Sequence, residues 1–138
     1  MKTVLFVCIH NAGRSQMAEA FFNRASGEKA RAISAGTKPG NSVHPEVVRV
    51  MKEVGIDLSG NQPKLLTFEL VSRADRMITM GCGEDTEGVC PAGFIETEDW
   101  QLDDPSGQPL AVVRRIRDEV ERRVEELIKS LDINRGIS

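Results

Sequence analysis

The sequence predicts an α/β domain built as a three-layer sandwich, a four-stranded parallel sheet flanked by helices. Three observations carry this. Short apolar, β-branched segments alternate along almost the whole chain with segments whose apolar residues recur at helical spacing. The first of them, Val4-Leu5-Phe6-Val7, is apolar without interruption, as a central parallel strand buried on both faces must be. At 138 residues, 40% hydrophobic and 28% charged, the chain has the size and composition of one ordinary globular domain. Residues 1–131 are read as that single domain and 132–138 as a frayed C-terminal tail.

Taken in order, residues 2–7 form the first strand. The spacing of Met17, Ala18, Phe21, Phe22 and Ala25 predicts a helix over 15–25. Residues 30–35 make the second strand, stopped by Gly36 and by Pro39-Gly40. His44 leads into a helix opened by Pro45, with Val47, Val48, Met51 and Val54 on its core face and Gly55 at its end. A short helix over 67–72 and a third strand over 76–80 follow. Residues 81–93 are a glycine-rich loop holding Cys82 and Cys90. Residues 94–100 are a fourth strand, with Trp100 in the core, closed by Asp103-Asp104-Pro105. The last helix spans 110–131, and Leu110, Val113, Ile116, Val120, Val124, Leu127 and Leu131 mark its core face. Arg114, Arg115, Arg117, Arg122 and Arg123, interleaved with glutamates, read as its solvated face. Ligands of such sheets bind beyond the carboxyl ends of the strands, where Cys8, Met80-Gly81 and Asp103-Asp104 should gather.

Composition narrows the partners. A net charge of -3 leaves no basic stripe to release counterions, which argues against nucleic acid. The apolar stretch after Lys2 is too short for a signal peptide, and no run approaches a membrane span. Three cysteines without a secretion signal read as cytosolic thiols rather than a disulfide framework. The expectation is a cytoplasmic monomer with no membrane partner.

Directly behind the first strand stands Cys8-Ile9-His10-Asn11-Ala12-Gly13-Arg14-Ser15. Five residues between the cysteine and the arginine suffice to wrap the backbone round one tetrahedral anion. The N–H groups of Ile9, His10, Asn11, Ala12, Gly13 and Arg14 would point inward as a nest, with the positive end of a helix dipole behind them. Asn11 and Gly13 are residue types that accept the left-handed backbone a tight cradle demands. Arg14 can hold two anion oxygens with its planar fork, a geometry lysine lacks. The same surroundings favour a thiolate at Cys8, and Ser15 can donate its hydroxyl to that sulfur. The plainer reading of Cys8 is a packed, inert thiol at a strand end. His10 shows no sign of a base role; its amide counts, its ring does not.

Asp104 precedes Pro105, which pushes it toward extended backbone on a loop. On the residues alone, a turn or N-cap role and a catalytic role stand level. Cys82 and Cys90 enclose seven residues, too long a spacing for a zinc knuckle of about two to four, and no second pair exists. Inert packing is the other plain reading. Gly81, Gly83 and Gly88 give the segment the freedom that a rearranging loop needs.

With these residues in view, the chain resembles the low-molecular-weight protein tyrosine phosphatase fold family. More narrowly, it is similar to the thioredoxin-coupled arsenate reductases built on that fold. The resemblance runs through Cys8 to Ser15 with Gln16-Met17-Ala18-Glu19, Ser34-Ala35-Gly36, Met51-Lys52-Glu53-Val54, Asp103-Asp104-Pro105 and residues 113–119. It implies that Asp104 is the general acid and that Cys8 attacks arsenate. It further implies that Cys82 attacks Cys8 as arsenite leaves, and that Cys90 then attacks Cys82. The resulting Cys82–Cys90 disulfide is reduced by thioredoxin or another thiol donor. Reducing As(V) takes two electrons, more than one thiol supplies, whereas a phosphatase needs a single thiolate.

The alternative is a low-molecular-weight phosphotyrosine phosphatase. Ser106-Gly107 stand where such enzymes carry aromatic residues, which favours a small ion, with phosphate or sulfate as mimics and weak phosphatase activity as a by-product. A non-enzymatic oxyanion sensor is a third reading, disfavoured by the intact Cys, Arg and Asp set. The Cys82–Cys90 interval is one residue longer than usual in thioredoxin-coupled members, which leaves thioredoxin, mycothiol and glutaredoxin open as reductants. No organic cofactor and no metal are expected. Asn11, Glu19 and Ser34 match positions that hold potassium in some relatives, but Lys64 falls where a further acidic ligand belongs, so no potassium requirement is expected.

Overall fold

The computed structural model describes residues 2–80 and 96–131. Its elements run β1 (Lys2–Cys8), α1 (Arg14–Ser26), β2 (Ala30–Gly36), α2 (Pro45–Lys52), α3 (Phe68–Arg73), β3 (Arg76–Thr79), β4 (Glu96–Asp99) and α4 (Leu110–Ser130). The four strands form one parallel sheet in the order β2-β1-β3-β4. β1 lies inside it, with Cys8 abreast of Gly36 and Val7 abreast of Thr79.

Successive side chains of a strand point to opposite faces, so the unbroken apolar run of β1 is divided between two cores. Val4, Phe6 and Cys8 pack with Met17, Phe21 and Phe22 of α1, with α2 and with the apolar stripe of α4. The Phe6 ring meets Phe22 edge-on at 6.1 Å and Trp100 at 5.6 Å, which puts Trp100 in the core as expected. Leu5 and Val7 face the other way, onto Ala35, Met77, Val71 and Ala74. Both faces are covered, three helices on one and α3 on the other.

Val47 and Met51 are buried on the core face of α2 as expected. Val50 is buried, whereas Val48 and Val54 are only partly so. Ala25 at the end of α1 is exposed rather than in the core. The helix α2 stops at Lys52, and the chain turns through Gly55 at φ 87. Thr67 caps α3, its hydroxyl accepting from the Leu70 N–H at 3.2 Å.

Arg117 departs from the solvated face assigned to it. It lies four residues after Val113 and three before Val120, on the buried stripe by spacing. Only 9% exposed, it donates through Nη1 to the Val50 carbonyl at 2.9 Å and to Glu53 Oε1 at 2.9 Å. Arg114 clamps the same carboxylate through Nε at 3.0 Å and Nη2 at 2.8 Å, tying α2 to α4. The Arg114 hydrogen bonds chiefly, with those of Arg117, lower the Glu53 carboxyl from its ordinary 4.5 to about 2.

A carboxyl depressed in the folded state stabilises the fold above its unfolded value, and that contribution is lost as pH falls toward the folded one. Glu53→Gln is therefore expected to lower Tm at neutral pH, modestly, because the pair is partly open to solvent. Thermal melts of the two proteins should converge between about pH 4.5 and about pH 2. A gap of constant size across that range would contradict the assignment. Among the described residues, no helix is long and apolar enough to cross a membrane.

Candidate active site

β1 brings Cys8 to the carboxyl edge of the sheet, and α1 begins at Arg14. The turn between them is shaped by the connection from β2 to α2. The carbonyls of Cys8, Ile9, His10 and Ala12 accept from the N–H groups of Thr37 at 3.3 Å, Lys38 at 2.8 Å, Gly40 at 2.9 Å and His44 at 2.9 Å. With its carbonyls turned outward, the loop leaves the N–H groups of residues 10–14 without an acceptor among the described residues. Successive free donors at a helix N-terminus are what a tetrahedral anion requires. The approach of the two loops demands glycine at 36: a Cβ there would lie 2.6 Å from the Ile9 carbonyl oxygen and 2.9 Å from the Asn11 nitrogen.

Cys8 is 2% exposed, yet its sulfur does not meet hydrocarbon alone: Sγ lies 2.9 Å from Ser15 Oγ. Asn11 sets what else the Ser15 hydroxyl meets. The Lys64 backbone N–H, which can only donate, reaches Asn11 Oδ1 at 2.9 Å. Asn11 Nδ2 therefore faces the other way and donates to Ser15 Oγ at 2.7 Å and Ser34 Oγ at 3.0 Å. The Ser15 hydroxyl accepts from Asn11 Nδ2, so its own proton is not needed there and is available to the Cys8 sulfur. Asn11 holds φ 51, the one left-handed non-glycine residue among those described. Such backbone costs about 1–2 kcal/mol, which three hydrogen bonds of about 0.5–1.5 kcal/mol each offset.

Behind this relay, Ser34 donates to Glu19 Oε1, and Lys64 Nζ stands 3.7 Å from the same oxygen. Among the described residues no group of three or more His, Cys, Asp or Glu side chains could hold a metal ion.

Arg14 is 8% exposed, and its Nη1 donates to the Leu102 carbonyl at 3.0 Å. That bond ties it to the segment holding Asp104. The same segment seats the buried Pro105 on Gly13, where an added Cβ would come within 2.9 Å of Pro105 Cγ. Asp104 itself is exposed, its Oδ1 accepting from the Ser106 N–H at 3.0 Å in a turn. The N-cap of α4 is Pro109, so Asp104 does not cap that helix. The exposed His10 ring is engaged through Nδ1 with the Lys38 carbonyl at 2.9 Å, and His44 is the N-cap of α2.

Cys82 and Cys90 lie outside the described residues. The chain leaves β3 beside the nucleophile, because the Met80 N–H donates to the Val7 carbonyl at 2.7 Å. Cys8, Met80 and the Asp104 segment thus gather at one edge of the sheet. Missing from the sequence reading were the Leu102 carbonyl, the outward anchors of the cradle and the main chain of Lys64. Each comes from a distant segment, and backbone groups carry no residue signature.

The family model for low molecular weight phosphotyrosine protein phosphatases matches residues 3–136. The chain is 41% identical over 134 residues to the glutaredoxin arsenate reductase of Synechocystis sp., covering 95% of this chain and 99% of that relative. Among solved structures it is similar to an arsenate reductase in its phosphate-binding state, with a TM-score of 0.81 at 39% identity, covering 94% of this chain and 98% of the other. It is also similar to the thioredoxin-dependent arsenate reductase of Corynebacterium glutamicum, with a TM-score of 0.80 at 36% identity. That alignment covers 96% of this chain and 63% of the longer Corynebacterium chain.

Proposed function

This chain belongs to the low molecular weight phosphotyrosine protein phosphatase family, and on that premise we propose that it is an arsenate reductase renewed by a thiol donor of the thioredoxin or glutaredoxin class. The observation that carries the reading is the Cys8 sulfur, 2.9 Å from the Ser15 hydroxyl beneath a loop whose amides at residues 10–14 have no acceptor among the described residues. Hydrolysis of phosphotyrosine would use the same floor, but exposed Ser106 and Gly107 offer no ring to stack on a tyrosyl group. Weak action on small phosphate esters accompanies the main activity.

Arsenate binds the amides of residues 9–14 and the Arg14 guanidinium. The Cys8 thiolate forms a bond to arsenic while one oxygen leaves as water, its proton supplied by Asp104. The Cys82 thiolate then attacks Cys8 Sγ; the S–As pair of electrons stays on arsenic, which departs as arsenite, and a Cys8–Cys82 disulfide remains. Cys90 attacks Cys82 and frees Cys8 as thiolate. The donor reduces the Cys82–Cys90 disulfide. In this reading the enzyme works as a monomer, and its three cysteines, used as thiols, fit a reducing cytoplasm.

Thiol titration checks the stoichiometry. One arsenate turnover without reductant should reduce the three free thiols of the protein to one. Three thiols remaining after arsenite has formed would exclude the relay. Since Lys64 already places an ammonium group at Glu19, arsenate reduction should proceed at equal rates in potassium and sodium chloride. Strong stimulation by potassium would contradict that role for Lys64.

A further inference from the structure

The first turn of α1 encloses a polar side chain that takes no part in the steps above. Gln16 is 0% exposed. Its Nε2 donates to the Asn11 carbonyl oxygen at 3.2 Å, to Asn11 Oδ1 at 3.0 Å and to the Gln62 carbonyl at 3.4 Å. Its Oε1 accepts from Asn61 Nδ2 at 3.1 Å. Two of the three oxygens facing Nε2 are main-chain carbonyls, so the amide cannot be reversed without setting acceptor against acceptor. Gln16 and Ser15, neighbours in sequence, thus meet opposite ends of the Asn11 carboxamide, one at Oδ1 and the other at Nδ2.

We infer that Gln16 is a positioning residue for the nucleophile, fixing the direction of the Asn11 carboxamide and, through it, the proton that Ser15 offers to Cys8. The bond to the Asn11 carbonyl oxygen also braces the left-handed turn at φ 51. Without Gln16, Oδ1 keeps one donor, the Lys64 N–H, in place of two, and the carboxamide is held less firmly in this direction. Whenever the carboxamide reverses, Ser15 gives its proton to Asn11 Oδ1 and the sulfur loses it. The inference rests on Cys8 being the nucleophile.

The test reads the sulfur directly. Iodoacetamide alkylation of the Cys8 peptide is followed by mass, and its rate at a low pH, about 5, where the thiolate is the minor form, is divided by its rate at about pH 10. Gln16→Met keeps the volume and removes both polar ends. It should lower that ratio about ten-fold, with no further fall when combined with Ser15→Ala. Asn61→Ala, at an exposed position, loosens only the hold on Gln16 and should lower the ratio about three-fold, which decides the matter if Gln16→Met does not fold. A purely structural glutamine would change Tm and leave the ratio alone. An unchanged ratio in folded variants overturns the inference, as does an equal loss with and without Ser15. A wild-type ratio no higher than that of free cysteine overturns the reading of the nucleophile itself.

Discussion

Cys82→Ser and Cys90→Ser will each stop multiple-turnover arsenate reduction, by at least about 100-fold, while hydrolysis of a small phosphate ester stays within about three-fold of wild type. The separation follows from electron counting. Phosphate-ester hydrolysis uses Cys8, the cradle and a proton donor, and water regenerates the thiolate. Arsenate must receive two electrons, and the sulfur of Cys8 yields them only when a second sulfur takes its place on Cys8. The two variants should also differ from each other. Cys90→Ser can still form the Cys8–Cys82 disulfide and release one arsenite per chain, whereas Cys82→Ser should release none. Counting arsenite per enzyme at saturating arsenate distinguishes them. Sustained turnover by either variant would mean that these two cysteines are not the relay.

Arg14→Lys is the second large effect, expected to weaken oxyanion binding by about 10- to 100-fold. Two parallel charge-assisted hydrogen bonds are lost and one point charge is kept, a difference of about 1.5–3 kcal/mol. The structure adds a second reason. Arg14 Nη1 is committed to the Leu102 carbonyl at 3.0 Å, which leaves Nε and Nη2 without a partner among the described residues. A lysine ammonium would have to choose between that carbonyl and the anion. The loss should appear in the arsenate KM and in competitive inhibition by phosphate, and a smaller loss in kcat should follow from a loosened Asp104 segment. Inhibition by phosphate unchanged within about two-fold would rule out the clamp.

Much of this was legible in the residues, for reasons that also explain the rest. β1 announced itself because a central parallel strand must be apolar on both faces, and the structure shares its side chains between two cores. Cys8, Arg14 and Ser15 were found because the chemistry needs those types at one short spacing. At Arg117 the two signals conflict, since its charge argues for solvent while its position, four residues past Val113, argues for the core. The core won, since Glu53 and the Val50 carbonyl neutralise and satisfy the guanidinium there. The residue type of Asn11 signals tolerance of left-handed backbone, but its four-way connection to Ser15, Ser34, Gln16 and Lys64 joins segments that only the fold brings together.

The outward anchoring of the cradle carbonyls has a consequence for selectivity. A ring held open by the scaffold hardly adjusts to its guest, so it sorts ions by shape and charge, and arsenate and phosphate are nearly alike in both. Phosphate therefore competes with arsenate for the same seat. In the proposed reaction, discrimination falls to the sulfur exchange, where arsenic has a stable lower oxidation state to fall into and phosphorus has none comparable.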